Sequence, residues 1–103
     1  MIIATTDLIY GKNCEPLGLV SGNIVQSTNL VKDFGAGLKS LVGGELKAYT
    51  QMMIEARASA EQRMIEEAQR LGADAVVGMR YMSASITPQA AEVLAYGTAV
   101  KFV

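Results

Sequence analysis

A chain of 103 residues is long enough for one domain and one core. Half of it is hydrophobic, 18% is charged and the net charge is −1, so broad electrostatic attraction to nucleic acid or anionic lipid is not indicated. It holds no His and a single Cys, Cys14, which excludes an internal disulfide, His-activated nucleophiles, and the CxxC and HxxxH metal motifs.

Residues 2–5 are a short apolar run, predicted as an edge strand. The N-terminal stretch has no charged region and no cleavage site, so it does not read as a signal peptide. No apolar run reaches the length of a membrane span. With the lone Cys14, a cytoplasmic location is the expectation. Residues 7–15 are loop-like, with Gly11, Lys12 and Asn13 forming a turn. From Pro16 the stretch LGLVSGNIVQS alternates as a strand does. Leu17 and Leu19 face one way, Val20 and Ile24 the other. Gly18 and Gly22 interrupt it, each marking a bulge or a close approach of another backbone.

Ser27-Thr28-Asn29 reads as a helix start, with Asn29 the cap. Leu30, Phe34, Leu38 and Leu41 make a short apolar stripe, which Gly35 and Gly37 weaken by about 1 kcal/mol each. Gly43-Gly44 ends it. Residues 45–71 then read as a long helix of roughly 40 Å. Leu46, Tyr49, Met53, Ala56, Ala60, Met64, Ala68 and Leu71 recur at steps of three and four, the spacing of one apolar stripe. Glu45 in the first turn and Arg70 in the last suit the helix dipole. Gly72 is the expected left-handed stop. Ala56, Ala58 and Ala60 keep the middle small, which lets a sheet come close.

After Gly72 the period changes. Residues 75–86 read as a strand with Ala75, Val77, Met79 and Tyr81 on one face. Val76, Met82 and Ile86 share the other with Arg80. Thr87-Pro88-Gln89 turns the chain, and residues 92–103 return antiparallel. Val93, Ala95 and Ala99 share one face; Leu94, Tyr96, Val100 and Phe102 share the other. A sheet covered on one side alternates apolar with polar, yet these strands are apolar on both sides. A domain of this size buries only about two-thirds of its unfolded surface. A neighbouring subunit is therefore the expected cover for the second face. The predicted architecture is a single α+β domain over 1–103, of order β-β-α-α-β-β. A small antiparallel sheet packs against one long helix and a short one, and the chain forms a homo-oligomer.

Few residues carry candidate chemistry. Cys14 beside Glu15 is the only soft centre with a carboxylate neighbour, and it is read either as a plain loop Cys or as one of several meeting around a ring axis. Arg80 in an apolar strand demands a partner if buried, and Glu92 across the hairpin is the expected one. Asn29 and Asp33 cap the short helix or bind an anion there. The six Met residues fall mainly at core positions. The glycine pairs do not form a phosphate loop.

Gly43-Gly44, Leu71-Gly72-Ala73-Asp74-Ala75 and Gly97-Thr98-Ala99-Val100, with Ala4-Thr5-Thr6, LGLVSGNIV and Asp33-Phe34, are similar to the YbjQ-like family. That family carries the label "putative heavy-metal-binding". The resemblance spans nearly the whole chain and implies an α+β fold and a ring of five subunits. The label implies a heavy-metal ion but supplies no ligand motif to carry over. The expected function is thus a pentameric, non-catalytic binding or scaffold module whose partner is itself. The alternatives are a heavy-metal-binding protein with a site shared between subunits, and an enzyme whose inter-subunit site uses Arg80, Glu92 or Asp33.

Overall fold

A computed structural model of the chain describes residues 1–27, 41–42, 45–87 and 90–103. Its elements are β1 (Ile2–Ile3), β2 (Cys14–Ser27), β3 (Leu41–Val42), β4 (Glu45–Leu46), α1 (Lys47–Arg70), β5 (Ala75–Thr87) and β6 (Ala90–Phe102). Four strands form one sheet in the order β1-β5-β6-β2, and β3 pairs with β4 separately. The fold is α+β as expected, but the sheet is mixed rather than antiparallel, because β1 runs parallel to β5. A parallel pair needs a long crossover, and the chain between these two strands, α1 included, supplies it.

Two expected boundaries change. The long helix begins at Lys47, since Glu45 and Leu46 pair back onto Val42 and Leu41. The short helix expected from Asn29 lies outside the described residues, save Leu41, which sits in β3. Among the described residues no helix is long and apolar enough to cross a membrane.

The core forms where α1 lies across β2 and β6. Ala56, Ala60, Met64 and Ala68 are fully buried against Val20, Val76, Val93, Ala95 and Ala99. Tyr49 and Leu71, at the ends of the expected stripe, are exposed. The small helix face sinks onto β2 at Gly22. A Cβ there would collide with the Ala60 carbonyl oxygen and the Met64 amide nitrogen, and would sit 2.7 Å from the Arg63 Cβ. Gly18, by contrast, marks a bulge, with a register shift between Pro16 and Gly18. So both glycine roles anticipated for this strand occur, one at each position. At Gly72 (φ +75°) α1 ends as expected. Ala73 N–H donates to the Ala68 carbonyl at 3.1 Å and Gly72 N–H to that of Gln69 at 3.0 Å, which closes the last turn.

A second bulge corrects the facing of β5. Val77 pairs with Thr98 and Arg80 with Tyr96, so Gly78-Met79 adds one residue against Gly97. The freed amides are satisfied by the chain after β1: Gly78 N–H donates to the Thr6 carbonyl at 2.8 Å and Met79 N–H to that of Ala4 at 3.0 Å. Beyond the bulge every side chain swaps sides. Val76, Met79 and Tyr81 therefore turn toward α1, while Ala75, Val77, Arg80 and Met82 turn away. The cover on the far side also differs from the expectation at one end of the sheet. There Ala75, Val77 and Val100 are buried by Ile9, Cys14 and Phe102 of the same chain.

Candidate functional site

Beyond the cluster around Ala75, Val77 and Val100, the face of the sheet turned away from α1 has no helix over it among the described residues. The register aligns its side chains in rows across β2, β6 and β5: Ser21–Tyr96–Arg80, Asn23–Leu94–Met82 and Val25–Glu92–Ala84, with Leu19 beside Thr98. Leu19 is 73% exposed, Met82 56% and Val25 52%. Leu94 and Tyr96 between them are half-buried.

Arg80 and Glu92 both lie on this face, but they do not meet. Arg80 is opposite Tyr96 and Glu92 opposite Ala84, about 13 Å apart along the ladder. Arg80 instead donates from Nη1 to the Thr5 carbonyl at 3.0 Å and to the Met79 carbonyl at 2.8 Å. The hairpin register rules out the expected ion pair, and the segment after β1 supplies a main-chain oxygen to Arg80 instead. Glu92 accepts from the Asn23 amide at 3.1 Å.

Cys14 and Glu15 are also parted. Both lie in β2, where successive side chains point to opposite faces. Cys14 sits in the cluster with Ala75, Val77 and Val100, while Glu15 is exposed opposite Lys101. Asn29 and Asp33 lie outside the described residues. Among the described residues, no three His, Cys, Asp or Glu side chains converge as a metal site requires.

Three arrangements escaped sequence reasoning. The Tyr81 hydroxyl donates to Glu61 at 2.8 Å. Its ionisation is pushed up, first by burial and then by that carboxylate. A hollow of about 120 Å³ beside it is lined by Met53, Arg57, Tyr81, Met82, Ser83 and Val93. That is well under the roughly 300 Å³ at which small-molecule pockets begin. Second, α1 caps the outer edge of β2. Arg63 donates to the Asn23 carbonyl at 2.6 Å, and Glu67 accepts a long contact of 3.5 Å from Ser21 N–H. The i, i+4 spacing of Arg63 and Glu67 on the flank of the buried Met64 was the available signal. Third, the Asp74 carboxylate accepts from Phe102 N–H at 2.8 Å and lies 3.6 Å from the Lys101 Nζ. This fastens the end of α1 to β6.

The chain matches, over residues 1–103, the YbjQ family model described as "Putative heavy-metal-binding". It is 58% identical to a UPF0145 protein of Clostridium novyi over 101 residues, covering 98% of each chain. A UPF0145 protein of Thermosipho africanus is 60% identical over 102 residues, covering 98% of this chain and 94% of its own. One from Vibrio parahaemolyticus is 55% identical over 104 residues, covering 100% and 99%. Among solved structures, a Pediococcus pentosaceus protein of unknown function from the DUF74 family superposes with a TM-score of 0.72 at 18% identity, covering 100% of this chain and 98% of that one. At that identity the likeness speaks for the fold, and it supports the α+β architecture described above.

Proposed function

The chain belongs to the YbjQ-like family, and from that premise we propose that it is a self-assembling binding or scaffold module without catalysis of its own. The observation that carries this reading is the open face of the sheet, where Leu19, Val25 and Met82 stand exposed around Leu94 and Tyr96. Single exposed apolar side chains are ordinary, but five gathered on one face among Ser21, Asn23, Arg80 and Glu92 make an apolar patch with polar neighbours, which supports an interaction surface. A chain that is half hydrophobic with a net charge of −1 has little to repel a copy of itself. A second copy is therefore the cover proposed for this face. The state proposed is the ring of five that the family resemblance implies.

A ring requires two different surfaces on each subunit, one to give and one to receive. The loop after β1 offers the second, since Leu8 is 77% exposed and Tyr10 fully so. The free Cys14 suits a reducing, cytoplasmic setting for the assembly. Size-exclusion chromatography with light scattering tests the reading. The expected result is a mass of five chains, lowered by Leu19→Ser. A folded monomer that persists on concentration overturns it.

A further inference from the structure

The family description names heavy metals, so the donor set of this chain has to be weighed against that chemistry. A soft ion is held by thiolate, thioether or imidazole, and a closed zinc site takes four ligands drawn mainly from Cys and His. This chain offers no imidazole and one thiol. Every further strong ligand would have to be a carboxylate. Five of the ten are already engaged: Glu55 accepts from Gln51, Glu61 from Tyr81, Glu67 from Ser21, Glu92 from Asn23 and Asp74 from Phe102. Among the described residues none of the carboxylates groups with two further ligands. The residues outside the description add neither His nor Cys.

The one thiol is badly placed to recruit help. Cys14 packs with Ile9 and Phe102 against Ala75, Val77 and Val100, none of which is a metal ligand. Its sequence neighbour Glu15 points to the other face of the strand. Cys14 is half-buried at the margin of this cluster, so copies meeting on a symmetry axis would bring one thiol each and no second kind of strong ligand. Met64 and Met79 are buried in the core under α1, and the exposed Met1 and Met82 offer only thioethers, which favour Cu(I) rather than zinc or cadmium when no thiolate or imidazole stands beside them.

We infer that this chain holds no heavy-metal site, within a protomer or between copies, and that members of the family with this donor set work without a resident metal. The inference is independent of the assembly proposed above, because it is read from bound metal rather than from mass. Equilibrium dialysis of the intact wild-type protein against Zn²⁺ and, separately, Cd²⁺, with bound metal measured by atomic emission, tests it. Cys14→Ser and Glu15→Gln are run alongside. The expected result is retention well below one ion per chain for all three proteins, with no saturation. Saturable, stoichiometric retention by the wild type overturns the inference. Its loss in Cys14→Ser would then assign the site to thiolates, and its survival there would assign it to carboxylates.

Discussion

The two faces of the sheet are cut from the same strands, and both carry large apolar side chains, yet only one is covered by α1. Facing the helix are Val20, Gly22, Val93, Ala95, Gly97 and Ala99, all buried. Facing away are Leu19, Asn23, Val25, Leu94, Tyr96 and Thr98, none fully buried. The covered set is wholly apolar, whereas the open face mixes its apolar side chains with Ser21, Asn23, Arg80, Glu92 and Thr98. Volume separates the apolar members as well. A helix that buries Ala56, Ala60 and Ala68 approaches closely, and the strands beneath it offer mainly compact residues, Gly22, Ala95, Gly97 and Ala99 beside Val20 and Val93. Leu94 and Tyr96, the larger apolar side chains of β6, stand on the side with room. Size and polarity together mark the face that the chain itself covers.

Breaking the close face gives the largest expected effect. In Gly22→Val the new side chain meets the backbone of α1 at Ala60 and Met64, not a flexible side-chain tip. The expected loss lies at the upper end of the about 1–3 kcal/mol seen for overpacked cores. A lowered urea midpoint with an unchanged slope would show it. An unchanged midpoint would mean that α1 lifts off β2 freely, and the size argument would fail. On the open face, the double substitution Leu19→Ser with Met82→Ser removes exposed apolar surface and leaves the core under α1 intact. Stability of the dilute single chain is expected to change by no more than about 0.5 kcal/mol, while the mass in light scattering falls. A loss of several kcal/mol in the dilute chain would show that this face is buried within the protomer.

A smaller effect belongs to the clasp that holds the end of the covered region. The Asp74 carboxyl is held below its ordinary value, chiefly by Phe102 N–H and then by the charge of Lys101, with partial burial opposing both. A carboxylate whose folded value is depressed stabilises the fold above its unfolded value of about 3.9, and that contribution is lost as pH falls through the lower folded value. Asp74→Asn should therefore lower the melting temperature somewhat at neutral pH, where the wild-type carboxylate is charged, and converge with the wild type in acid, which flattens the acid limb. A mutant limb as steep as the wild type would remove Asp74 from the account.

Much of this contrast was legible in the sequence, and the gaps have physical causes. Alternation placed Val20 and Ile24 on one side of β2, and the alanine run of α1 announced close packing. Gly22 and Gly72 were read for the roles they play. The facing of β5 was misread because period-2 counting assumes an unbroken ladder. One extra residue at Gly78-Met79 exchanges every side chain beyond it. Gly78 (φ +59°) is the local mark of that bulge and went unread, while the amides it frees bond to Thr6 and Ala4, more than seventy residues away. Glu92 misses Arg80 by register alone, since it stands opposite Ala84, four residues along β5. Glu45 likewise suits a helix start by itself, and only its pairing with Val42 makes it strand.

The smallest expected effect sits where the two faces meet the edge of α1. Tyr81 is turned toward the helix by the bulge, and its hydroxyl donates to Glu61 at 2.8 Å. Were β5 unbroken, Tyr81 would project to the open face, beyond the reach of that carboxylate. The phenol's ionisation is raised first by burial and second by Glu61, with Arg57 opposing. Because the folded value is raised, the stabilisation is fully present below the ordinary value of about 10, and it is lost as pH rises through the folded one. Phenolate absorbance of the wild type should therefore include one tyrosine that titrates above the rest. Glu61→Gln should bring that step part of the way back, leaving the share due to burial. Tyr81→Phe should remove the step and cost less than about 1 kcal/mol, since the bond is half in solvent. If all four tyrosines titrate together in the wild type, Tyr81 does not face α1, and the bulge that distinguishes the two sides of the sheet is misplaced.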